Sequence, residues 1–407
     1  GSLMKSTNET TVFQGRNPAE IVLWAGVTGA LLMALVSISL AQLCLVAAIL
    51  SWVFLLIAKG RRAEVPGFFW PLLGYIAWSL LASALSRDPA TSFSDSRELL
   101  LALIVPVALA AFYSVRAYDL GTLALPVSAL LAGLYALARY ALAHAASVRV
   151  RGFMGHYMTQ AGLLMLFAAA ALALILYRRD KSRWLWGAAL AVSLPALALT
   201  LTRSAWIGLA AAVCLVLLLY KPRTLIVVPV LALAFFVLAT PAMKQRARSI
   251  FTTYGYSNQE RLEYVRAGLK IIAQNPVHGT GPRTVSKVFQ YPEYGLSEQA
   301  KRNVHLHNDM IQIAAERGLP ALLAWLAFLV WAAVDLLKLA RAGDDRALRA
   351  AAVGGLAAIA ALFVGGLFEY NFGDSEVASL FYFLIALPFA RRAAGRGTGA
   401  SAAGEAR

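Results

Sequence analysis

SNQERLEYVRAGLKIIAQ (Ser257–Gln274) and VHLHNDMIQIAAERG (Val304–Gly318) lie within Met243–Gly318, the one long polar segment of a chain otherwise made of apolar runs. Those runs decide the fold class. Of 407 residues, 60% are hydrophobic and 14% charged, whereas a soluble globular domain carries about 25% charged residues. Apolar stretches of roughly 18 to 22 residues, the length an α-helix needs to cross hydrocarbon, recur on both sides of the insert. The alternating ten-residue segments of a membrane β-barrel are absent. The expectation is an all-α, polytopic integral membrane protein with about twelve transmembrane helices and one large loop containing amphipathic helices.

Outward from the insert, Ile21–Ala58 is an almost unbroken apolar stretch of about 38 residues with a polar break at Ser37, Ser39 and Gln42, which predicts two helices and a tight turn. Further spans are predicted over Pro66–Leu85, Leu99–Tyr113, Leu120–Leu142, Thr159–Tyr177, Trp184–Leu201, Ser204–Tyr220 and Leu225–Thr240. After the insert come Leu319–Leu339, Ala350–Phe368 and Val377–Ala390. The chain thus divides into a tail (1–20), the first nine helices (21–241), the large loop (242–318), three more helices (319–390) and a basic tail (391–407).

Lys and Arg fall on alternate connections, as the positive-inside rule requires. Lys59, Arg61 and Arg62, then Arg116, Arg178 to Arg183, Lys221 and Arg223, Lys338 to Arg349, and Arg391 to Arg396 share one side with the amino terminus. Both termini are then cytoplasmic. Much of the net charge of +16 is therefore topological, and no nucleic-acid partner is implied. Cys44 and Cys214 sit inside apolar runs as small core residues, with no disulfide framework or zinc site. Gly1-Ser2 reads as a remnant of recombinant expression, and the first span serves as the insertion signal.

The insert on the opposite side breaks the charge rule. Lys244, Arg246, Arg248, Arg261, Arg266, Lys270, Arg283, Lys287, Lys301 and Arg302 face few acids there. Membrane lipid headgroups and diphosphate-linked or phosphorylated glycolipids are the anions such a cluster would meet, and Arg offers them bidentate bonds. Ser257 to Glu260 forms a capping box, Asn275-Pro276 ends the helix, and Leu262, Val265, Leu269 and Ile272 make one apolar face for the membrane surface. Arg266 and Lys270 form an i,i+4 pair on one side, and Arg261 stands at the apolar edge. Pro276–Pro282 (PVHGTGP) reads as an ordinary tight turn, since it lacks the Lys-Ser/Thr of a phosphate loop.

His305 and His307 precede a helix that Asp309 and Gln312 could cap, and Asp309, Gln312 and Glu316 make a polar stripe. In an extended approach the two rings point to opposite sides, so only one would face a given cavity. An imidazole suits a general base that takes a proton from a sugar hydroxyl. The dinuclear-hydrolase reading of His305-x-His307-x-Asp309 lacks the further His and Asp ligands it needs, so no metal is assigned. Arg203, in Thr202-Arg203-Ser204 between two apolar runs, is a costly charge that calls for a role. Asp374 could orient a histidine or a substrate hydroxyl.

At these residues the chain resembles the bacterial O-antigen ligase and polymerase superfamily. The match is carried by Gly152-Phe153 to Gly162, by Thr202-Arg203-Ser204, and by Arg261, Asn275-Pro276, Gly279, Gly281, His307-Asn308-Asp309 and Glu316-x-Gly318. Within it, the span count and single late loop look most like lipopolysaccharide O-antigen ligase. The resemblance implies an enzyme of the bacterial inner membrane that moves a polysaccharide from undecaprenyl diphosphate to a sugar hydroxyl of lipid A core, with its active site facing the periplasm. It implies no cofactor. By the same resemblance Arg203 and Arg261 bind the diphosphate and His307 activates the acceptor. His305, Asp374, Arg266, Arg151 and Asp309 are secondary candidates, and His305 leaves the identity of the base open. No Asp-x-Asp pair is present, which argues against a divalent-cation transferase. A polymerase of the same superfamily, a protein-glycosylating relative and a lipid-linked glycan transporter are the alternatives.

Overall fold

A computed structural model describes residues 13, 15–143, 149–250 and 256–405, the side chains of 256, 257 and 397–405 excepted. Gly1-Ser2, the Ser257 side chain of the capping box and the end of the basic tail lie outside the described residues. All regular structure among the described residues is helical.

The first apolar stretch divides where the sequence offers capping oxygens. Asn17 caps α1 (Pro18–Met33) and Ser37 caps α2 (Ile38–Lys59), each accepting a backbone N–H of the first turn. Then follow α3 (Phe69–Ala84), α4 (Pro89–Ser96), α5 (Ile104–Ala111), α6 (Val115–Thr122) and α7 (Ala124–Leu142). Helices α8 (Tyr157–Tyr177), α9 (Ser182–Leu199), α10 (Arg203–Tyr220) and α11 (Val227–Leu238) lead into the insert. The insert holds α12 (Pro241–Arg248), α13 (Tyr256–Gln274) and α14 (Val285–Val288), and α15 (Asp309–Arg341), α16 (Arg346–Gly366) and α17 (Ser375–Glu405) complete the chain.

Among the described residues, eight stretches are long and apolar enough to cross a membrane: α2, Val115–Leu142, α8, α9, α10, α15, α16 and Ser375–Arg396. Three more apolar helices, α1, α3 and Pro222–Leu238, are shorter. The span expected over Leu99–Tyr113 is split into a 3-10 segment, Arg97–Leu103, and the eight-residue α5. The chain is thus a multi-pass membrane protein whose helices do not reach the expected number by length alone.

Helices α8 and α16 form the centre, packed against each other and against α10, with α9 and α17 alongside. Lipid tails are as apolar as leucine, so helices in a bilayer are held by close packing, which small residues permit. Ala168 to Ala171 of α8 and the Ala- and Gly-rich α16 are buried. At Gly208 of α10 a Cβ would lie 2.6 Å from the Ala361 carbonyl oxygen and the Met165 sulfur. By contrast α11 buries none of its residues, and Leu238 is 82% exposed, an apolar surface suited to hydrocarbon.

Connections expected to share a side do gather at one end of the bundle. At the end assigned to the cytoplasm, Arg391 bonds to Asp119 at 2.8 Å and Asp345 at 3.0 Å, and Arg178 reaches Asp119 at 3.2 Å. At the other end the insert builds a small core of its own around Tyr264, Ile271, Val288, Phe289 and Leu306. The apolar row expected to face the membrane surface stays outside this core. Leu262 and Leu269 are 49% and 56% exposed, whereas Tyr264, Ala267 and Ile271 are buried. The burying face is set by what α13 packs on, because Gly268 meets Leu306 and Ile311 at the start of α15. The Leu row is left outward.

Gly318 breaks α15 into two arms with φ 81° and ψ 170°. The PVHGTGP turn docks at this break: Leu319 N–H donates to the Pro276 carbonyl at 2.8 Å, Thr280 N–H to Ala315 at 2.9 Å and Gly281 N–H to Glu316 at 2.9 Å. These backbone donors are used within the chain, as an ordinary turn requires. From α3, the Trp78 indole donates to the Arg317 carbonyl at 3.1 Å. A Cβ at Gly318 would lie 1.9 Å from the Val277 carbonyl oxygen. Gly318→Val is therefore expected to cost at least about 2 kcal/mol from backbone strain alone, read as a lowered thermal midpoint of the purified protein, with a matched Gly74→Ala change nearly neutral.

Candidate active site

The site grows from Glu369, placed just past the end of α16 and 3% exposed. Its Oε1 accepts from His307 Nδ1 at 2.8 Å and lies 3.4 Å from His305 Nε2. The Arg261 guanidinium stands 3.6 Å from Oε2 and also donates to the Phe368 carbonyl. Both histidines therefore meet one carboxylate, with ring centroids 4.5 Å apart, and do not point to opposite sides as expected. The reason is local: His307 has φ 51°, a left-handed conformation, with Leu306 buried between the two. Extended alternation does not survive such a turn. Asn308, and not Asp309, caps α15 by accepting from Ile311 N–H at 2.9 Å, and it anchors the loop by donating to Leu367.

Burial alone would raise the Glu369 carboxyl, but hydrogen bonds and charge from His305 and His307 hold it well below the usual carboxylate range. A carboxylate accepting His307 Nδ1–H fixes the tautomer in which Nε2 carries the lone pair, the form a general base needs. His305, His307 and Glu369 offer ligand atoms within 4.8 Å of one another, a spacing that could hold a cation. Arg261 competes for the same carboxylate charge.

A second group lies on the basic side of Glu369. Arg203, 8% exposed at the start of α10, donates to the Ser249 carbonyl at 2.7 Å and to Asn258 at 2.7 Å. Arg149 donates to the Thr200 carbonyl at 2.9 Å and the Leu201 carbonyl at 3.2 Å, and its guanidinium lies 3.4 Å over the Tyr157 ring. Arg246 also donates to Leu201, at 3.2 Å. Leu201 itself has φ 54°, which turns this carbonyl towards two guanidinium groups. Burial, opposed by Tyr157 and Glu369 and reinforced by Arg246 and Arg261, pulls Arg149 down to about 10. Burial and Arg261 pull Arg246 down as well. Mutually repelling, partly buried guanidinium groups favour an anion between them.

On the other side of Glu369 opens a cavity of about 560 Å³ lined by Glu98, His156, His305, Glu316, Glu369 and Asp374 among others. Asp374 accepts from the Thr159 hydroxyl at 2.6 Å, and burial together with Glu376 pushes it up to about 8. Burial and Asp95 push Glu98 up to about 7. Leu201, Arg283 and His307 are the non-glycine residues with positive φ among the described residues, and all three lie at this end. Strained backbone of this kind collects at functional sites.

The structure thus brings together His307, His305, Arg203 and Arg261, with Asp374 across the cavity. Asp309 is 1% exposed and accepts from Phe372 N–H at 3.0 Å, a scaffold contact outside the cavity lining. Arg266 and Arg151 are exposed, away from the cluster. Glu263 pairs with Ser297 and leaves Arg261 for Glu369. Sequence reasoning missed Glu369 and Arg149 as site residues and named Arg246 only within the insert's basic cluster. Glu369 follows an apolar run, so the argument from a costly junction charge that singled out Arg203 applies to it equally. Arg149 sits two residues from Arg151 in VRVRG, and sequence alone gave no means of choosing between them.

Residues 188–326, about a third of the chain, match the model of the family described as O-Antigen ligase. The match supports the O-antigen ligase and polymerase superfamily for this part of the chain. No curated protein matches it significantly. The O-antigen ligase match encloses Arg203, Arg246, Arg261, His305 and His307, whereas Arg149, Glu369 and Asp374 join the site through the fold.

The Glu369 arrangement makes a pH prediction. Its folded-state affinity for a proton is below the ordinary 4.5, so the ionised form stabilises the fold. That contribution is full above about pH 4.5 and is lost as pH falls through the lower folded value. The stability advantage of the parent protein over Glu369→Gln is expected to be steady at pH 5 to about 6 and to shrink below about pH 4.5, measured by thermal unfolding in detergent. An advantage that grows on acidification would contradict the pairing.

Proposed function

We propose that the protein is an O-antigen ligase that transfers a polysaccharide from undecaprenyl diphosphate to a sugar hydroxyl of lipid A core. The observation that carries this reading is a carboxylate-held histidine pair with the buried Arg203 and three partly buried arginines on one side and a cavity on the other. His307 takes the acceptor hydroxyl proton on Nε2 while Nδ1–H stays on Glu369. The acceptor oxygen attacks the anomeric carbon, the bond from that carbon to the phosphate oxygen breaks, and the electron pair leaves with the lipid diphosphate. Arg203 and Arg261, joined by Arg149 and Arg246, stabilise that departing charge. In-line attack inverts the anomeric centre. Glu369 is a positioning residue, and His305 is the rival base because it lines the cavity whereas His307 does not.

A diphosphate is already a good leaving group, so positioning and cationic stabilisation account for transfer without a metal. On this reading the site faces the periplasm of the bacterial inner membrane, with both termini cytoplasmic. A polymerase would use the same chemistry on a carrier-linked acceptor. The transporter reading is weaker, because the charged groups gather at one end of the bundle and not at a midplane site between repeats.

The test is transfer in a reconstituted membrane, with undecaprenyl diphosphate-linked polysaccharide, lipid A core and a chelator present. Polysaccharide is expected on lipid A core, with His307→Ala lowering the rate by about 100-fold or more. Arg203→Ala and Arg261→Ala are expected to lower it by about 100-fold each, with His305→Ala milder than His307→Ala. Lengthening of the glycan on its own carrier would make the protein a polymerase. Loss of transfer on chelation would overturn the metal-independent mechanism, and near-normal rates in both arginine variants would remove the diphosphate assignment.

A further inference from the structure

The cavity beside Glu369 has a charge character opposite to that of the arginine cluster. Asp95, Glu98, Glu316, Glu369, Asp374 and Glu376 line it, against Arg283 and Lys287, which are exposed. Lys287 is already paired with Asp88, and Asp95 with the buried Arg317 at 3.1 Å. Oε1 of Glu316, 2% exposed, lacks a hydrogen-bond partner there, and Oε2 of Glu369, 3% exposed, accepts no hydrogen bond and has the Arg261 guanidinium only at 3.6 Å. Asp374 Oδ1 is likewise buried without a hydrogen-bond partner, on a residue that is itself only partly buried. A buried acceptor without a donor is costly, and these line a space that a ligand donor can enter. The volume of about 560 Å³ falls in the range of small-molecule sites.

We propose that this cavity is the acceptor subsite and takes an uncharged sugar, whose hydroxyl groups donate to Glu316, Glu98 and Asp374, while excluding sugars that carry phosphate or carboxylate there. The proposal rests on the transferase reading above. Hydroxyl groups supply the missing donors and also accept from Thr91, Ser286 and Asn371, which share the lining. An anion fits badly. Glu98 and Asp374 already hold protons more tightly than ordinary carboxyls because burial and neighbouring acids penalise their charge, so a phosphate among them adds repulsion that the exposed, solvent-screened Arg283 only partly offsets. The chain thereby separates its two substrates by charge: diphosphate to the arginines, neutral sugar to the carboxylates.

The test uses the full-length protein in nanodiscs, transferring polysaccharide to lipid A core, with two synthetic lipid-anchored competitors, a glucoside and its 6-phosphate. The glucoside is expected to compete at least about tenfold more strongly than the phosphate, and Glu98→Leu to weaken its competition by about tenfold, the scale of one hydrogen bond to a charged group. Glu98 is chosen because removing Glu316 would strand Arg317. The acceptor KM should rise in Glu98→Leu far more than the donor KM. Equal or stronger competition by the phosphate, no competition by the glucoside, or a shift confined to the donor KM would overturn the subsite while leaving the transferase standing. Absence of transfer to lipid A core by the parent protein would overturn the ligase reading, and the subsite with it.

Discussion

The contact between Glu369 and the His305–His307 pair is the interaction on which the rest of the site depends. A carboxylate 3% exposed needs compensation, and two imidazoles and a guanidinium supply it. Those partners come from distant parts of the chain: Arg261 from α13, the histidines from the approach to α15, and Glu369 from the connection between α16 and α17. One buried charge therefore closes the insert onto the helical bundle. It also divides the site, with guanidinium groups on one side and carboxyls on the other.

Under the proposed function, that division gives each of two chemically different lipids its own side of Glu369. Charges of like sign are kept together where they repel, at a cost to the folded state that the scaffold must offset. The small-residue packing of α8 against α16, the docking of the PVHGTGP turn at Gly318 and the salt-bridge network around Arg391 supply rigid support at opposite ends. Positive φ at Leu201 and His307 shows where this support is used, since each turns a polar group inward that a relaxed backbone would turn away.

The sequence carried the fold class and one part of the site. Apolar run length set the helical membrane architecture, and Ser37 marked the break in the first long stretch because only a capping oxygen there satisfies the N–H groups of α2. Arg203 was legible because a charge between apolar runs is costly. Periodicity identified the outward apolar row of α13, whereas the burial of Tyr264, Ala267 and Ile271 on its other side was decided by the shape of the α15 surface beneath them.

What the sequence by itself determined is therefore what depends on local chemistry: span lengths, caps, the alternation of basic connections, and the insert that concentrates arginine and histidine. What only the tertiary structure decided is which of those groups meet. Alternation along an extended chain separates His305 from His307, yet a left-handed φ of 51° at His307 brings both to Glu369, more than sixty residues away. Arg149 enters the site and Arg151 does not, because the carbonyls of Thr200 and Leu201 lie within reach of only one of them. Burial and charge compensation act through space, and a linear pattern of residue types contains no distances.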